Sequence, residues 1–358
     1  MLPRQSVLRS AARHCSTRGT PVVGVLGAGQ MGGGIAQVAA VQAGCKVVLV
    51  DVKQEQLDKC MGLMDKLLAK DVAKDRLTEA DKAAALARIT TSTDMSAFGG
   101  ASFLIEAATE NVGLKLDLFR AMDSVAPSGA ILASNTSSIS ITKMAAATAR
   151  PEAVIGMHFM NPVPVMKLVE VIPGLATSEA TLADTLALAT AMGKTCTQSR
   201  DIPGFIANRI LMPYINEAVQ TLYEGIGTVE AIDTSMKLGT NVPMGPLTLA
   251  DFIGLDTCLA IMQARPPLRT DTHVIVICRD RPEGVGGGRL QPRGTVLCPN
   301  SLLVRPLSTH PRLTAPRLQV LHSELGDSKY RPSPLLVQHV NAGWLGKKSG
   351  RGFYDYRK

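Results

Sequence analysis

The chain has 358 residues, 46% of them hydrophobic and 4% aromatic, which is enough for two domains around an aliphatic core. No run of about 18 uninterrupted apolar residues occurs, which excludes a membrane-spanning helix, and seven cysteines without a CxxC pair read as reduced thiols rather than a disulfide framework or a metal site. The net charge of +8 is concentrated in two stretches, four arginines without an acid in residues 1–20 and nine arginines against three acids in 264–319, so the remainder is nearly neutral and no nucleic-acid partner is implied.

Residues 1–20 are Arg-rich, contain Ser and Thr, and precede the first acid of the chain, Asp51. That composition predicts a mitochondrial transit peptide and a matrix location; the alternative is a cytoplasmic protein with a disordered bacterial extension. An apolar strand follows over 21–26, then Gly27-Ala28-Gly29-Gln30-Met31-Gly32, a helix to about residue 43, and a second strand over 46–50 ending in Asp51. A lone GxGxxG is weak, but between a strand and a helix, with an acid about 20 residues on, it is a dinucleotide-binding fingerprint. Gly27 allows the tight turn, Gly29 lets the backbone reach a pyrophosphate, and Gly32 lets helix and strand pack closely. Gln30 and Met31 open the helix whose amides would meet the phosphates. Asp51 suits two ribose hydroxyls and repels a 2′-phosphate, so the expected cofactor is NAD rather than NADP.

Apolar residues at helical spacing over 54–74 predict an amphipathic helix. Lys66, Lys70 and Lys74 form a row on another face, either a solvated surface or a contact for an anionic ligand. Strands are then predicted over 88–91, 102–107, 130–134, 153–158, 166–172 and 195–199, and helices over 79–86, 113–125, 139–147 and 178–192. This alternation implies an α/β fold, a Rossmann-type, doubly wound, mostly parallel sheet, with ligands at the carboxyl ends of the strands. Two loops at such ends carry short polar groups, Glu110-Asn111 and Ser134-Asn135-Thr136-Ser137-Ser138.

The stretch from Met157 to Val171 holds His158 at the end of one predicted strand and Glu170 within the next, linked through Asn161-Pro162-Val163-Pro164. Neighbouring strands would bring imidazole and carboxylate together. A carboxylate on one ring nitrogen fixes the tautomer and raises the basicity of the other, as a general base requires. After residue 202 the strand rhythm stops. A long helix over 205–223, with Asn208 in its first turn, and helices over 229–238 and 246–263 predict an all-helical second domain over 203–358, following a sheet domain over 21–202.

The motifs GAGQMG, ATEN, SNTSSISIT, GMHFMNPVPVMKLVEV, DIPGFIANRILMPYINEA, MKLGTNVPMGPLTLADFIGLD and GKKSGRGFYDY, in this order, resemble the (S)-3-hydroxyacyl-CoA dehydrogenase family, especially its short bacterial type. The resemblance covers roughly 21–263 and 320–358; Gly113 stands where many members carry a lysine. It implies reversible NAD-dependent oxidation of a 3-hydroxyacyl-CoA such as 3-hydroxybutyryl-CoA, in fatty-acid β-oxidation or short-chain acyl-CoA metabolism. By position, His158 is the general base and Glu170 its orienting partner, while Ser137 and Asn208 hydrogen-bond the substrate oxygen. Glu110, Lys115, Asn135 and Asn161 join the glycine-rich loop and Asp51 around the cofactor, Asn161 also supporting the histidine loop. Lys66 and Lys70 are assigned to the CoA substrate, no residue to a metal, and the helical domain to a homodimer. Two other readings are a non-catalytic structural relative and an NAD-dependent dehydrogenase of a free sugar acid.

Residues 264–319 interrupt the second domain with nine Arg, no Lys, eight Pro and the run Gly284-Val285-Gly286-Gly287-Gly288. Skipping them rejoins Ile261-Met262-Gln263 to Val320-Leu321-His322 as one helix. We read the segment as an irregular insert, from a retained intron or a gene-model error, that cuts a core helix rather than a tolerant loop; the functional alternative is a basic regulatory loop.

Overall fold

The computed structural model describes residues 21–262 and 328–357 of the chain. Val22–Leu26 (β1), Lys46–Val50 (β2), Ile89–Ser92 (β3), Phe103–Glu106 (β4), Ile131–Ser134 (β5), Val154–Phe159 (β6), Leu168–Pro173 (β7) and Thr195–Gln198 (β8) form one sheet in the order 3-2-1-4-5-6-7-8. All neighbours run parallel except β6 and β7. The central strands β4, β5 and β6 are buried along their whole length, which is why they read as largely apolar runs rather than alternating with polar residues.

The helices of this domain are α1 (Gln30–Val41), α2 (Gln54–Val72), α3 (Glu79–Ala87), α4 (Val112–Val125), α5 (Ile141–Ala145) and α6 (Glu179–Ala191). Thr78, Asn111, Ser140 and Ser178 start four of them, each side chain accepting from the amide three residues on. Ile35 of α1, Leu57 and Leu68 of α2 and Leu188 of α6 bury one face of the sheet with Val25, Leu49 and Ile105. Phe119 and Met122 of α4 and Ile141 and Met144 of α5 bury the other with Leu104 and Leu132. The order reverses where β4 returns beside β1, the point at which doubly wound sheets open a ligand crevice.

The linker is tied back to the sheet domain by Asp201, whose carboxylate accepts from Ser140 Oγ and the amides of Ile141 and Thr142, all at 2.8 Å. Beyond it lie α7 (Ala207–Tyr223), α8 (Val229–Gly239), α9 (Pro246–Ile253), α10 (Leu255–Met262) and α11 (Pro334–Asn341). Met212, Ile215, Leu247, Cys258, Met262, Tyr330 and Leu336 form their common core, so α10 and α11 share apolar contacts. The single helix expected over 246–263 is two. Gly254, at φ +102°, turns the chain between them, and a Cβ there would lie 2.9 Å from Lys348 Nζ.

Two buried carboxylates lace this domain to the end of the chain. Asp233 accepts from the amides of Leu247 and Thr248 and from the Tyr354 hydroxyl, at 2.8–2.9 Å. Asp251 accepts from the amides of Phe353 and Tyr354 at 2.9 Å and from the Tyr356 hydroxyl at 3.1 Å. The expected insert over 264–319 and its junction with 320–322 lie outside the described residues, as does the expected transit peptide over 1–20.

Candidate active site

The nucleotide end is built by the β1–α1 turn. Gly27 has φ +104°, and a Cβ there would meet Ala107 O at 2.8 Å; a Cβ on Gly32 would lie 1.8 Å from Gly27 O. Both positions therefore demand glycine. Around Gly29 a Cβ would meet nothing within 4 Å, and no side chain caps the helix it opens, so the first amides of α1, at Gln30 and Met31, are available to an anion. Asp51 stands at the end of β2, its carboxylate held by the amides of Ala28 at 2.8 Å and Lys53 at 3.0 Å. An open glycine approach, a free helix N-terminus and a fixed acid beyond the second strand fit NAD.

At the other end, the antiparallel register sets His158 directly opposite Glu170. Nδ1 lies 2.8 Å from Glu170 Oε2, and both residues are buried. Glu170 Oε1 accepts from the amides of Ile206 and Ala207 at 3.0 Å each, the first amides of α7. Burial alone would raise the Glu170 pKa; the His158 hydrogen bond and the two amides outweigh it and hold the carboxyl below its usual range. Phe205, forced to φ +48° where the linker turns, packs its ring 5.7 Å from the imidazole. Among the described residues nothing bonds Nε2, so that nitrogen remains for a ligand.

Between these ends lie the two polar loops. Glu110 Oε1 accepts from Thr136 Oγ1 at 2.5 Å, Ser137 N at 2.9 Å, Ser138 Oγ at 3.1 Å and Ser137 Oγ at 3.2 Å. Lys115 Nζ is 3.3 Å from Glu110 Oε2. Burial pushes the Glu110 carboxyl up, but the Lys115 charge and the Thr136 and Ser137 hydrogen bonds leave it below the usual range. Asn135 Oδ1 accepts from Phe159 N at 2.8 Å, tying the serine loop to the residue after His158.

A cavity of ≈ 540 Å³ opens between α1, α2 and the prolyl loop, lined by Gly29, Gln56, Lys59, Leu63, Leu67 and Asn161 among others. The lysine on its wall is Lys59, not Lys66 or Lys70. Those two are exposed on the same helix and are not among the residues that line the cavity. Asn208 lies in the first turn of α7, beside the amides that hold Glu170. Among the described residues no cluster of His, Cys, Asp or Glu is placed to hold a metal, and no helix is long and apolar enough to cross a membrane.

Two buried side chains and one pair of amides escape the sequence reading. Glu106 at the end of β4 is fully buried; an acid closing the apolar run Phe103-Leu104-Ile105 was its signal. Lys194 donates to the carbonyls of Val163 at 2.5 Å and Met166 at 2.9 Å, clamping the prolyl loop. Nothing local in sequence announces that, nor the amides of Ile206 and Ala207 on Glu170.

The glycine-rich turn, the fixed Asp51 and the histidine–carboxylate pair on a doubly wound sheet define a dinucleotide-dependent oxidoreductase class. The family model described as "3-hydroxyacyl-CoA dehydrogenase, NAD binding domain" matches residues 22–202, and "3-hydroxyacyl-CoA dehydrogenase, C-terminal domain" matches 204–274 and 309–356. The chain is 48% identical over 334 residues to the Bacillus subtilis protein named "Probable 3-hydroxybutyryl-CoA dehydrogenase", spanning 93% of this chain and 96% of that one. It is 47% identical over 335 residues to the 3-hydroxybutyryl-CoA dehydrogenase of Bradyrhizobium diazoefficiens, 94% and 95% of the two chains. The crystal structure of (S)-3-hydroxybutyryl-CoA dehydrogenase PaaH1 from Ralstonia eutropha superposes with a TM-score of 0.77 at 43% identity, covering 95% of this chain and 100% of that one. The chain belongs to the 3-hydroxyacyl-CoA dehydrogenase family. The mitochondrial location expected from residues 1–20 is corrected by these relatives, which come from bacteria, cells without mitochondria; the cytoplasmic alternative fits them better. An acid-free, Arg-rich stretch is a composition that several kinds of segment share, not an address.

Proposed function

We propose that the protein oxidises (S)-3-hydroxyacyl-CoA to 3-ketoacyl-CoA reversibly with NAD, 3-hydroxybutyryl-CoA being the expected short substrate. The observation that carries this reading is the His158–Glu170 pair on the sheet that also carries the dinucleotide turn. With Nδ1–H donated to Glu170, Nε2 takes the proton of the 3-hydroxyl, and the ionised carboxylate stabilises the imidazolium that results. In the reverse direction the imidazolium returns that proton to the 3-keto oxygen. Ser137 and Asn208 hold the substrate oxygen, and the sheltered His158 pocket keeps water from competing. NAD⁺, when bound, supplies the hydride acceptor. Gly27, Gly29, Gln30, Met31, Gly32 and Asp51 hold its adenosine and pyrophosphate, and Glu110, Lys115, Asn135 and Asn161 frame its other end. The cavity beside α2 suits a pantetheine arm over Leu63 and Leu67, with Lys59 on the wall; the exposed Lys66 and Lys70 of the same helix are the proposed contacts for the CoA phosphates.

The domain division at 202/203 rests on the change from alternating strands to helices. The family match, which omits 275–308, supports an insert narrower than 264–319. Exposed Ile210, Tyr223, Ile226, Leu238 and Phe252 on the helical domain support a homodimer through that domain. Sedimentation velocity of the purified chain tests it: a monomer at micromolar concentration sinks the dimer. Following NADH appearance from 3-hydroxybutyryl-CoA tests the activity. Turnover in the wild type that persists in His158→Ala would remove the assignment of the base. Oxidation of free hydroxy acids but not their CoA thioesters would remove the substrate class.

A further inference from the structure

Glu106 is the residue on which both polar loops converge. Its backbone and side chain end β4 beside β1, at the crevice where the sheet order reverses. Oε1 accepts from the amide of Ala108 at 2.6 Å and from Lys115 Nζ at 2.7 Å; Oε2 accepts from Ser134 Oγ at 2.6 Å and from Lys115 Nζ at 2.8 Å. Its carbonyl accepts from Asn135 N at 2.7 Å. Glu106, Lys115 and Ser134 are all essentially inaccessible to solvent. One carboxylate thus fixes the first residues of the 107–111 loop, the register mate Ser134 from which the serine loop hangs, and a buried ammonium.

That ammonium has two carboxylates to choose from. It lies 2.7 Å from Glu106 and 3.3 Å from Glu110. The nearer and fully buried partner dominates, which leaves Glu110 Oε1 to gather the Thr136, Ser137 and Ser138 donors. We propose that Glu106 is a positioning residue for the dehydrogenase reaction: by holding Lys115, it keeps Glu110 on the serine loop and so sets the Ser137 hydroxyl toward the substrate oxygen. Without the Glu106 charge, the buried ammonium keeps only Glu110 and the Ala108 carbonyl, each at 3.3 Å, and closes onto Glu110. Glu110 is then drawn off the loop, and Ser137, whose 3.2 Å contact is the longest of the four, is released first. The inference rests on the role proposed for Ser137, while its structural part stands apart from catalysis.

The test is Glu106→Gln in the full chain, read two ways. Amide hydrogen exchange should rise about tenfold at 136–138, whose Ser137 amide donates to Glu110, and at 108–111, with β1 and β6 unchanged. The KM for 3-hydroxybutyryl-CoA should rise about tenfold, with the preference for NAD over NADP within about twofold of wild type, because the adenosine end is untouched. A merely structural loss lowers the active fraction, hence apparent kcat, and leaves KM alone. Should the variant not fold, Ser134→Ala removes one Glu106 contact; because Ser134 Oγ also accepts from Thr136 N at 3.2 Å, the amide to follow is that of Ser137, whose exchange should rise about threefold. Unchanged exchange at 136–138 in whichever variant folds overturns the proposal. A wild-type chain inactive on acyl-CoA overturns the proposed function instead, and leaves the exchange result to decide this one.

Discussion

The sheet domain and the helical domain each bury carboxylates, and the two sets behave differently. In the helical domain Asp233 and Asp251 spend their oxygens on backbone amides and tyrosine hydroxyls, groups with no proton to exchange near neutral pH. In the sheet domain Glu170 meets an imidazole whose other nitrogen is unbonded, and Glu110 meets the hydroxyls of a loop at the crevice. A buried charge alone therefore does not mark a site; a buried charge whose partner keeps a second, reactive face does. The pKa directions divide in the same way. Burial dominates at Asp251 and raises it, whereas hydrogen bonds and a neighbouring cation lower Glu170 and Glu110.

The comparison is broken most directly by His158→Ala, for which kcat should fall by about two orders of magnitude or more while NADH binding, measured by fluorescence, survives. Near-normal kcat would place the base elsewhere. Glu170→Gln should lower kcat by about tenfold, because the imidazolium loses its charged partner. The cofactor contrast should be of similar size or larger: Asp51 should favour NAD over NADP by about a hundredfold in kcat/KM, and Asp51→Ala should narrow that ratio. A wild-type preference for NADP would show that Asp51 does not govern the site.

Asp251→Asn should differ from Glu170→Gln in its kinetics. It turns an acceptor of two amides partly into a donor, costing about 1–3 kcal/mol of stability by urea denaturation, with kcat and KM of the folded fraction unchanged. A kinetic effect there would join the two domains' carboxylates into one system. The pH dependence is smaller and has opposite signs. Glu170 and Glu110 are lowered in the fold, so their contribution is complete above the unfolded carboxyl range of about 4.3 and is lost as pH falls through their lower folded values. Asp251 is raised, so its contribution is largest below about 3.9 and declines as pH rises through its folded value. Denaturation from neutral to acid pH should show a flatter acid limb in Glu170→Gln and a steeper one in Asp251→Asn.

Much of this was legible in the chain because its signals are local. Strand and helix periods, the GxGxxG turn and the acid ending β2 all depend on residues within one or two turns of each other, where covalent spacing dictates which side chains share a face. Even the His158–Glu170 encounter is a short-range matter, two strands joined by one prolyl link. The break at Gly254 was less visible, since a glycine inside an apolar helical pattern is ordinarily tolerated and only the approach of Lys348 and the turn to α10 make it decisive.

By itself, then, the sequence determined the succession of elements, the cofactor turn and the pairing of His158 with Glu170. Tertiary structure alone decided that β6 and β7 run antiparallel with those two residues face to face, and that the amides opening α7 hold the carboxylate. It also decided that Lys59 rather than Lys66 or Lys70 lines the cavity, and that Glu106, Lys115 and Ser134 share one buried cluster. The reason is physical. A buried polar group must find partners, and those partners are supplied by the register of strands and loops whose separation along the chain has no fixed relation to their distance in space.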